Sequence, residues 1–288
     1  MSSAHEIPAE RFKRRSDERL GIRGATIPFW LVHVAALGVL VVPFRGSCVL
    51  AFLTAYLGGL FGIMAGYHRY FSHRSFKTGR VFQFVLALLG TITSQKGVLW
   101  WSGHHRNHHR HSDTADDVHS PRRGFWWSHM FWFLAPRYNA TPASQLREFG
   151  KFPELRFLNR YWVLGPVALC AGMLAAGGVS WLFWGGFLPL VAMWHATFLV
   201  NSLAHVWGTR RYPTSDTSRN NFLIALVTLG EGWHHNHHHY QSAACQGFFW
   251  WEIDATYYVL KVLGWLGIVW DLRRPPPAAL AAHKPPRQ

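Results

Sequence analysis

GSCVLAFLTAYLGGLFGIMAGYHRYFSH, residues 46–73, decides the fold of this chain. From Gly46 to Tyr67 it carries no charged side chain. A helical run of about 20 apolar residues crosses a bilayer core. Two histidines, His68 and His73, follow directly at its end. A second uncharged run, Gly24 to Phe44, precedes it across the short joint Pro43–Ser47. A joint this short folds two helices into a hairpin with both ends on one side. Basic residues crowd those ends, Arg11 to Arg23 before and Arg69, Arg74, Lys77 and Arg80 after. The positive-inside rule places them in the cytoplasm. No apolar stretch with a small-residue cleavage site follows the first residues closely, so they are not expected to act as a cleaved signal peptide.

The pattern returns downstream. Tyr161–Gly178 and Trp181–Val200 are uncharged and joined at Gly177–Ser180, and Asn201 and His205 emerge at their end. Spans are expected at about 26–44, 47–67, 161–178 and 181–200. The fold class is therefore an all-α integral membrane protein. Four transmembrane helices form two hairpins, and a cytoplasmic helical cap holds a histidine-ligated di-metal site. Residues 1–23 read as a basic cytoplasmic arm, 24–272 as the membrane domain and 273–288, with Pro275, Pro276 and Pro277, as a disordered tail. Val81–Ser94 is too short for a span and reads as an interfacial or buried helix. The aromatic run Phe125–Leu134 and the amphipathic stretch 247–270 suit the membrane surface. His33 and His195 lie inside spans, where an ionisable residue is a functional hypothesis, but neither is taken as a ligand.

Composition agrees. The chain has 288 residues, is 49% hydrophobic with 16 Trp, and is only 15% charged, against about 25% in soluble domains. The formal charge of +15 suits anionic headgroups. Nucleic acid is excluded as a partner, because the basic residues flank apolar spans instead of forming one stripe. Cys48, Cys170 and Cys245 are too few and too scattered for a disulfide framework.

The histidines carry the chemistry. HRNHH (His105, His108, His109) and HHNHH (His234, His237, His238) share one spacing, i, i+3 and i+4. On a helix this puts three imidazoles on one face, toward one small volume. Imidazole suits zinc, copper, iron and nickel. Closed structural zinc takes four ligands, so nine imidazoles fit two ions of higher coordination with open positions. Asp113, Asp116, Asp117, Glu231, Glu252 and Asp254 lie close enough in sequence to orient the rings and offset the charge.

HRYFSHRSF, HHRNHHRHSDTADDVHSPRRGFWWSH, NSLAHVWG and GEGWHHNHH, in that order, closely resemble the membrane fatty-acyl desaturases of the stearoyl-CoA type. The resemblance covers about residues 26–272. It implies two irons held by His68, His73, His105, His108, His109, His205, His234, His237 and His238, with Asn201 holding a water. His104, His111, His235 and His239 fall off the motif. It implies that dioxygen and two electrons drive removal of two hydrogens from adjacent methylenes, leaving a cis double bond, expected at the delta-9 position. It also implies a separate electron donor (ferredoxin, rubredoxin or a b-type cytochrome with its reductase) and a multi-pass protein with termini and metal site cytoplasmic, in the inner membrane if bacterial. The substrate would be a long-chain acyl-CoA or an acyl lipid. One departure bears on the carrier: the animal acyl-CoA enzymes have an Arg-Asp pair just before box two, where this chain has Gly103 and His104. Lys96, Arg122, Arg123 and Arg137 remain candidates for a substrate headgroup. Aromatic and apolar residues at Leu99–Trp101, Trp194–Phe198 and Phe248–Trp251 are candidates for an apolar tunnel. The competing readings are a di-iron hydroxylase of alkane, fatty acyl or sterol substrates, and a non-enzymatic membrane metal-binding protein.

Overall fold

The computed structural model describes residues 26–282; the expected basic arm at 1–23 lies outside the described residues. Two segments, Gly46–Ser72 (α2) and Leu164–His205, are long and apolar enough to cross a membrane. The first helix, α1, spans Ile27–Leu40, shorter than the run that suggested it. Pro28 starts it well, since its missing N–H is not needed in a first turn. It tightens into a 3-10 turn at Leu37–Leu40, ahead of Pro43.

Leu164–His205 is not one straight rod. Gly177 and Gly178 break it, and Gly178 has φ +67 and ψ −158, a region open essentially to glycine alone. The chain then turns back on itself, with Gly185 against Met173 and Gly186 against Cys170. The result is a hairpin of Leu164–Trp181 (α6) and Leu188–Asn201 (α7). The Ser180 hydroxyl donates to the Pro43 carbonyl at 2.8 Å and Trp181 Nε1 donates to Ser47 Oγ at 3.1 Å. Both joints therefore sit together at the end of the molecule remote from the histidines.

A row of small residues decides how these helices meet. Ala51, Ala55, Gly59, Gly62 and Gly66 are buried along one side of α2. Ala51 touches Gly185 and Gly59 touches Met193, while Gly62 and Gly66 lie on the backbone of Arg80–Thr91 (α3). Small residues let helix backbones approach closely where no hydrophobic drive separates helix from lipid. On the other side, α7 takes α1: the Phe29 ring stacks on Trp194 at 5.0 Å, and Gly38 packs on Phe183. The α6/α7 hairpin thus touches both helices of the first pair.

The remaining helices gather at the histidine end. Val98–His111 (α4) carries box two, and its Trp100 N–H is capped by Asn159 Oδ1 at 2.8 Å. Asn159 sits on Pro153–Arg160 (α5). Phe222–Val227 (α8), His234–His239 (α9) and Ala255–Trp265 (α10) complete the group. A two-stranded antiparallel ladder, Lys77–Thr78 with Val269–Trp270, ties box one to the C-terminal region. Of the tail expected to be disordered over 273–288, residues 273–282 are ordered and 283–288 lie outside the described residues. Arg273 N–H donates to Ser75, its carbonyl accepts from Ala244, and Pro277–Ala281 forms a short helix against the body. Pro275, Pro276 and Pro277 lack donors, but the N–H and carbonyl of Arg273 ahead of them dock the segment.

Adding one methyl tests the α2–α3 contact. A Cβ at Gly62 would overlap the backbone of Leu89 and Gly90, whereas one at Gly172 meets nothing. Gly62→Ala should lower the thermal midpoint in detergent, by roughly 1–3 kcal/mol of stability or more. Gly172→Ala should be neutral. Equal midpoints for the two would contradict the packing described.

Candidate metal centre

Box one reaches its position through an unusual turn. Gly62–Ser72 winds as a π-helix, and His73 N–H donates to the His68 carbonyl, five residues back, at 3.2 Å. In an α-helix residues five apart point about 140° away from each other. A π turn closes on the fifth residue and brings them to one side. The His68 and His73 rings accordingly meet with centroids 4.9 Å apart.

Nine histidines gather into two groups. His68, His73, His105, His109 and His237 form one, and His108, His205, His234 and His238 the other, with donor nitrogens within 4.8 Å in each. Boxes two and three do not each serve a single volume, as their spacing had suggested. Box two gives the i, i+4 pair His105 and His109 to the first group and His108 to the second. Box three gives the pair His234 and His238 to the second group and His237 to the first. Residues i+3 and i+4 are about 100° apart around a helix, so one face can supply two neighbouring centres. Asn201 lines the cavity beside the site.

The nitrogen chemistry fits cations. His68 Nδ1 meets Glu231 at 2.6 Å, His108 Nδ1 meets Asp117 at 3.0 Å, and His205 and His238 meet Asp113 and Asp216 at 3.3 Å each. A ring that donates from Nδ1 to a carboxylate has a bare lone pair at Nε2. Two of those Nε2 atoms face the Nε2 of another clustered ring. His68 lies 3.0 Å from His237, and His205 lies 3.0 Å from His234. Nε2 of His108 and of His238 is buried with no protein partner. Two ligands at right angles on bonds of 2.0–2.1 Å stand about 2.9 Å apart, and at a tetrahedral angle about 3.3 Å. The four close Nε2 pairs, at 2.9–3.0 Å, are close enough to share one ion.

Charge is arranged to suit. Burial first, then neighbouring imidazoles, pushes His105, His109, His234 and His237 well below the ordinary histidine range and keeps them neutral. Burial alone would raise the carboxyls, but their histidine partners outweigh it. Asp117 is held down at about 2, and Asp113, Asp216 and Glu231 are also held below their usual range. The four-histidine group has three of these carboxylates and the five-histidine group one.

Other expected acids do different work. Asp116 is exposed. Glu252 accepts from Asn236 and the Phe248 N–H and pairs with Arg211. Asp254 caps α10 at Tyr257 and pairs with Arg69. None of the three is bonded to a clustered ring, because sequence proximity does not set side-chain direction. Asp216, Arg69, Gln246 and His119 were missed. Arg69 grips Glu231 and Asp254, Gln246 Nε2 donates to Glu231, and His119 stacks on His108 at 4.1 Å. Arg69 and His119 lie inside quoted motifs; Asp216 and Gln246 carried no spacing signal. His104, His235 and His239 stay outside both groups, bonded to Ala140, Tyr212 and Ala279 backbone respectively, and His111 belongs to neither group.

An apolar cavity of about 730 Å³ abuts the site, with His105 and His119 in its wall. It follows α6 from Val163 to Leu174 and is closed by Trp101, Trp194 and Phe198. Gln95 Nε2 donates to Thr197 Oγ1 at 3.1 Å within this lining. Leu99 and Phe248–Trp251, offered as tunnel wall, are not part of it. Of the headgroup candidates only Lys96 lines it, with Nζ on Asn139 at 2.9 Å; burial lowers its pKa to about 8. Arg122 is exposed, Arg123 lies over Trp127 at 3.9 Å, and Arg137 lies beside Tyr138 at 5.8 Å. Val163 and Val167 are 51% and 57% exposed, so the cavity wall is open on the α6 side.

Removing a carboxylate should loosen metal without removing a ligand. Asp117→Asn should weaken metal binding by roughly 10–100-fold, read by chelator competition, while Asp116→Asn should leave it unchanged. Acid should act in the same direction. The unfolded chain takes up histidine protons near pH 6.5 that the folded site refuses, so stability holds above about 6.5 and falls below it. Imidazolium does not bind metal, so metal content should fall over the same window. Metal content and thermal midpoint both unchanged down to pH 5 would contradict the neutral-imidazole site.

The family model for fatty acid desaturase matches residues 46–270. The chain is 37% identical over 253 residues to an sn-2 palmitoyl-lipid 9-desaturase of Nostoc sp. (strain 36), covering 86% of this chain and 85% of that one. It is 37% identical over 252 residues to an sn-1 stearoyl-lipid 9-desaturase of Anabaena variabilis, covering 86% and 92%. It is 38% identical over 220 residues to an acyl-CoA C20 Delta5-desaturase of Anemone leveillei, covering 75% and 70%. With two imidazole groups set against an apolar cavity, and these relatives over most of its length, the chain belongs to the fatty acid desaturase family.

Proposed function

We propose that this fatty acyl desaturase acts on membrane glycerolipids, holds two irons, uses dioxygen and forms a cis double bond at the ninth carbon of a long saturated chain. The observation that carries the reading is the pair of five- and four-imidazole groups beside a cavity that is apolar almost throughout. His68, His73, His105, His109 and His237 would hold one iron. His108, His205, His234 and His238, with Asn201 through a water, would hold the other. When bound, the irons supply the oxidising power for removing two hydrogens from adjacent methylenes.

The chain's own residues set where that happens. A saturated acyl chain offers no polar handle near its middle, so depth in the cavity must fix position. The α6 wall from Val163 to Leu174 is about 16 Å long at 1.5 Å per residue, and it ends near the break at Gly177. Trp101 stacks flat on His105 at 5.0 Å and fixes that ring against the cavity. Lys96 and Asn139 provide polar contact at the end nearer the cap.

Three observations favour a glycerolipid over acyl-CoA. Gly103 packs against Pro142 and His104 donates to the Ala140 carbonyl. The positions that hold an Arg-Asp pair in the resembled acyl-CoA enzymes thus face this chain's own loop. The cavity is open along Val163 and Val167, where a lipid can enter sideways. Two of the relatives are named for lipid-bound acyl groups. The four apolar helices then span the bilayer as two hairpins, with the metal site and termini cytoplasmic, and a separate ferredoxin, rubredoxin or b-type cytochrome delivers electrons.

Expression in a host that makes no unsaturated fatty acids, followed by gas chromatography of separated lipid classes, tests this. The expected result is a new 9-monoene appearing first in intact glycerolipid. An alcohol as the product would overturn the reaction type, and a monoene appearing first in the acyl-CoA pool would overturn the carrier. His108→Ala should lose iron and drop the yield at least about 100-fold.

A further inference from the structure

The two imidazole groups use one ligand type, yet the charge around them differs. In the four-imidazole group three of the four rings turn Nδ1 to a carboxylate. His108 meets Asp117 at 3.0 Å, and His205 and His238 meet Asp113 and Asp216 at 3.3 Å each. The other contacts to these carboxylates come from neutral donors. Thr217 serves Asp113, Thr214 and Ser218 serve Asp216, and the N–H groups of Asp113 and His119 serve Asp117. Among the described residues no lysine or arginine is ion-paired to any of the three. Three negative charges therefore stand behind this group without a compensating cation.

The five-imidazole group is poorer in negative charge. Only His68 meets a carboxylate, Glu231 at 2.6 Å. Arg69 closes on that Glu231 at 2.9 Å and on Asp254 at 3.0 Å. Two carboxylates and one guanidinium leave one net negative charge. Access differs in the same sense. All four rings of the carboxylate-rich group are buried, whereas His73, His105 and His109 of the other are partly exposed. Arg74 and Arg110, next in the chain to His73 and His109, are exposed. Neither group includes a carboxylate oxygen, so among the described residues no acid is placed to bridge two ions and equalise them. The groups meet through rings, such as His109 against His238 at 4.4 Å. A carboxylate behind a ligating imidazole makes the ring a stronger donor and brings negative charge near the ion. Both effects favour the higher oxidation state, and most where water is excluded. The fifth imidazole works the other way, but one neutral donor counts for less than two full charges in a buried site.

We propose that Asp113, Asp117 and Asp216 make the two irons unequal, so that the five-imidazole group takes the first electron and the four-imidazole group stays ferric until the second arrives. The role rests on the two-iron reading above. Each step takes one electron from a one-electron carrier and turns one ferric ion ferrous, and two steps reduce the pair. The order of energies agrees with the order of access, because the partly exposed rings and their exposed arginines belong to the group reduced first. Asp113, Asp117 and Asp216 act through the rings they hold. They are positioning residues, not catalytic ones.

Anaerobic reductive titration of the purified, iron-loaded enzyme, followed by Mössbauer spectroscopy, counts ferric and ferrous ions without turnover. The wild type should reduce in two separate one-electron steps, with one ferric and one ferrous ion per chain after the first. Asp216→Asn keeps an oxygen for the His238 N–H and removes one charge. It should move the second step to higher potential, leave the first nearly in place and lower the half-reduced population several-fold. Asp113→Asn should do the same, and it decides the matter if Asp216→Asn does not fold or load iron. Glu231→Gln should move the first step instead and raise the half-reduced population. A single two-electron step in the iron-loaded wild type would overturn the proposal. So would Asp216→Asn or Asp113→Asn moving the first step alone. A wild type that binds no iron, by metal analysis, would sink the two-iron reading itself, whereas two bound irons with one common step would sink only their order.

Discussion

Buried imidazole nitrogens packed against one another are the constraint on which the structure depends. His68 and His205 each present a bare Nε2 to another histidine's Nε2 at 3.0 Å, while Nδ1 is held by a carboxylate. The partner ring meets that lone pair either with its own N–H or through a shared cation, and in the second case metal binding and the folding of the histidine end are coupled. The carboxylates matter twice. They choose the tautomer, and they return negative charge to a centre whose ligands are neutral. Three of them serve the group with four imidazoles, so the poorer ligand set has the richer surroundings.

The apolar helices are the frame that holds those lone pairs at short range. Four stretches distant in sequence meet because two hairpins turn at the same end, bridged by Ser180 on Pro43 and Trp181 on Ser47. The small residues of α2 then set separation and register, since Gly59, Gly62 and Gly66 allow contacts that any larger side chain would block. The same hairpins leave the cavity between them. Its position beside His105 and its open side along Val163 and Val167 follow from where α1 and α6 stand, not from any motif. Hydrogen bonds among His33, His195 and His129 tie α1 to α7 and to the turn Trp127–Phe131.

Much of the centre was legible in the sequence. The i, i+3, i+4 spacing of boxes two and three declares helices that present imidazoles, and the uncharged runs declare apolar helices with a histidine at the end of each pair. Three of the six acids chosen by proximity, Asp113, Asp117 and Glu231, do bond clustered rings. Asp116, Glu252 and Asp254 do not, since nearness along the chain says nothing about which way a carboxylate points. Asp216 went unseen because the loop that brings it to His238 has no periodic pattern.

From residues alone came the helical character of the apolar runs and of the histidine boxes, because periodicity and charge depletion are local properties, and the resemblance supplied the full set of nine histidines that cluster here. Four things needed the folded chain: the two-to-one division of each box, the π turn that makes His68 and His73 neighbours, the cavity, and the meeting of His33, His195 and His129. Each is a matter of relative direction between elements far apart in sequence. Direction is settled by packing, and packing is a property of surfaces that no single stretch contains.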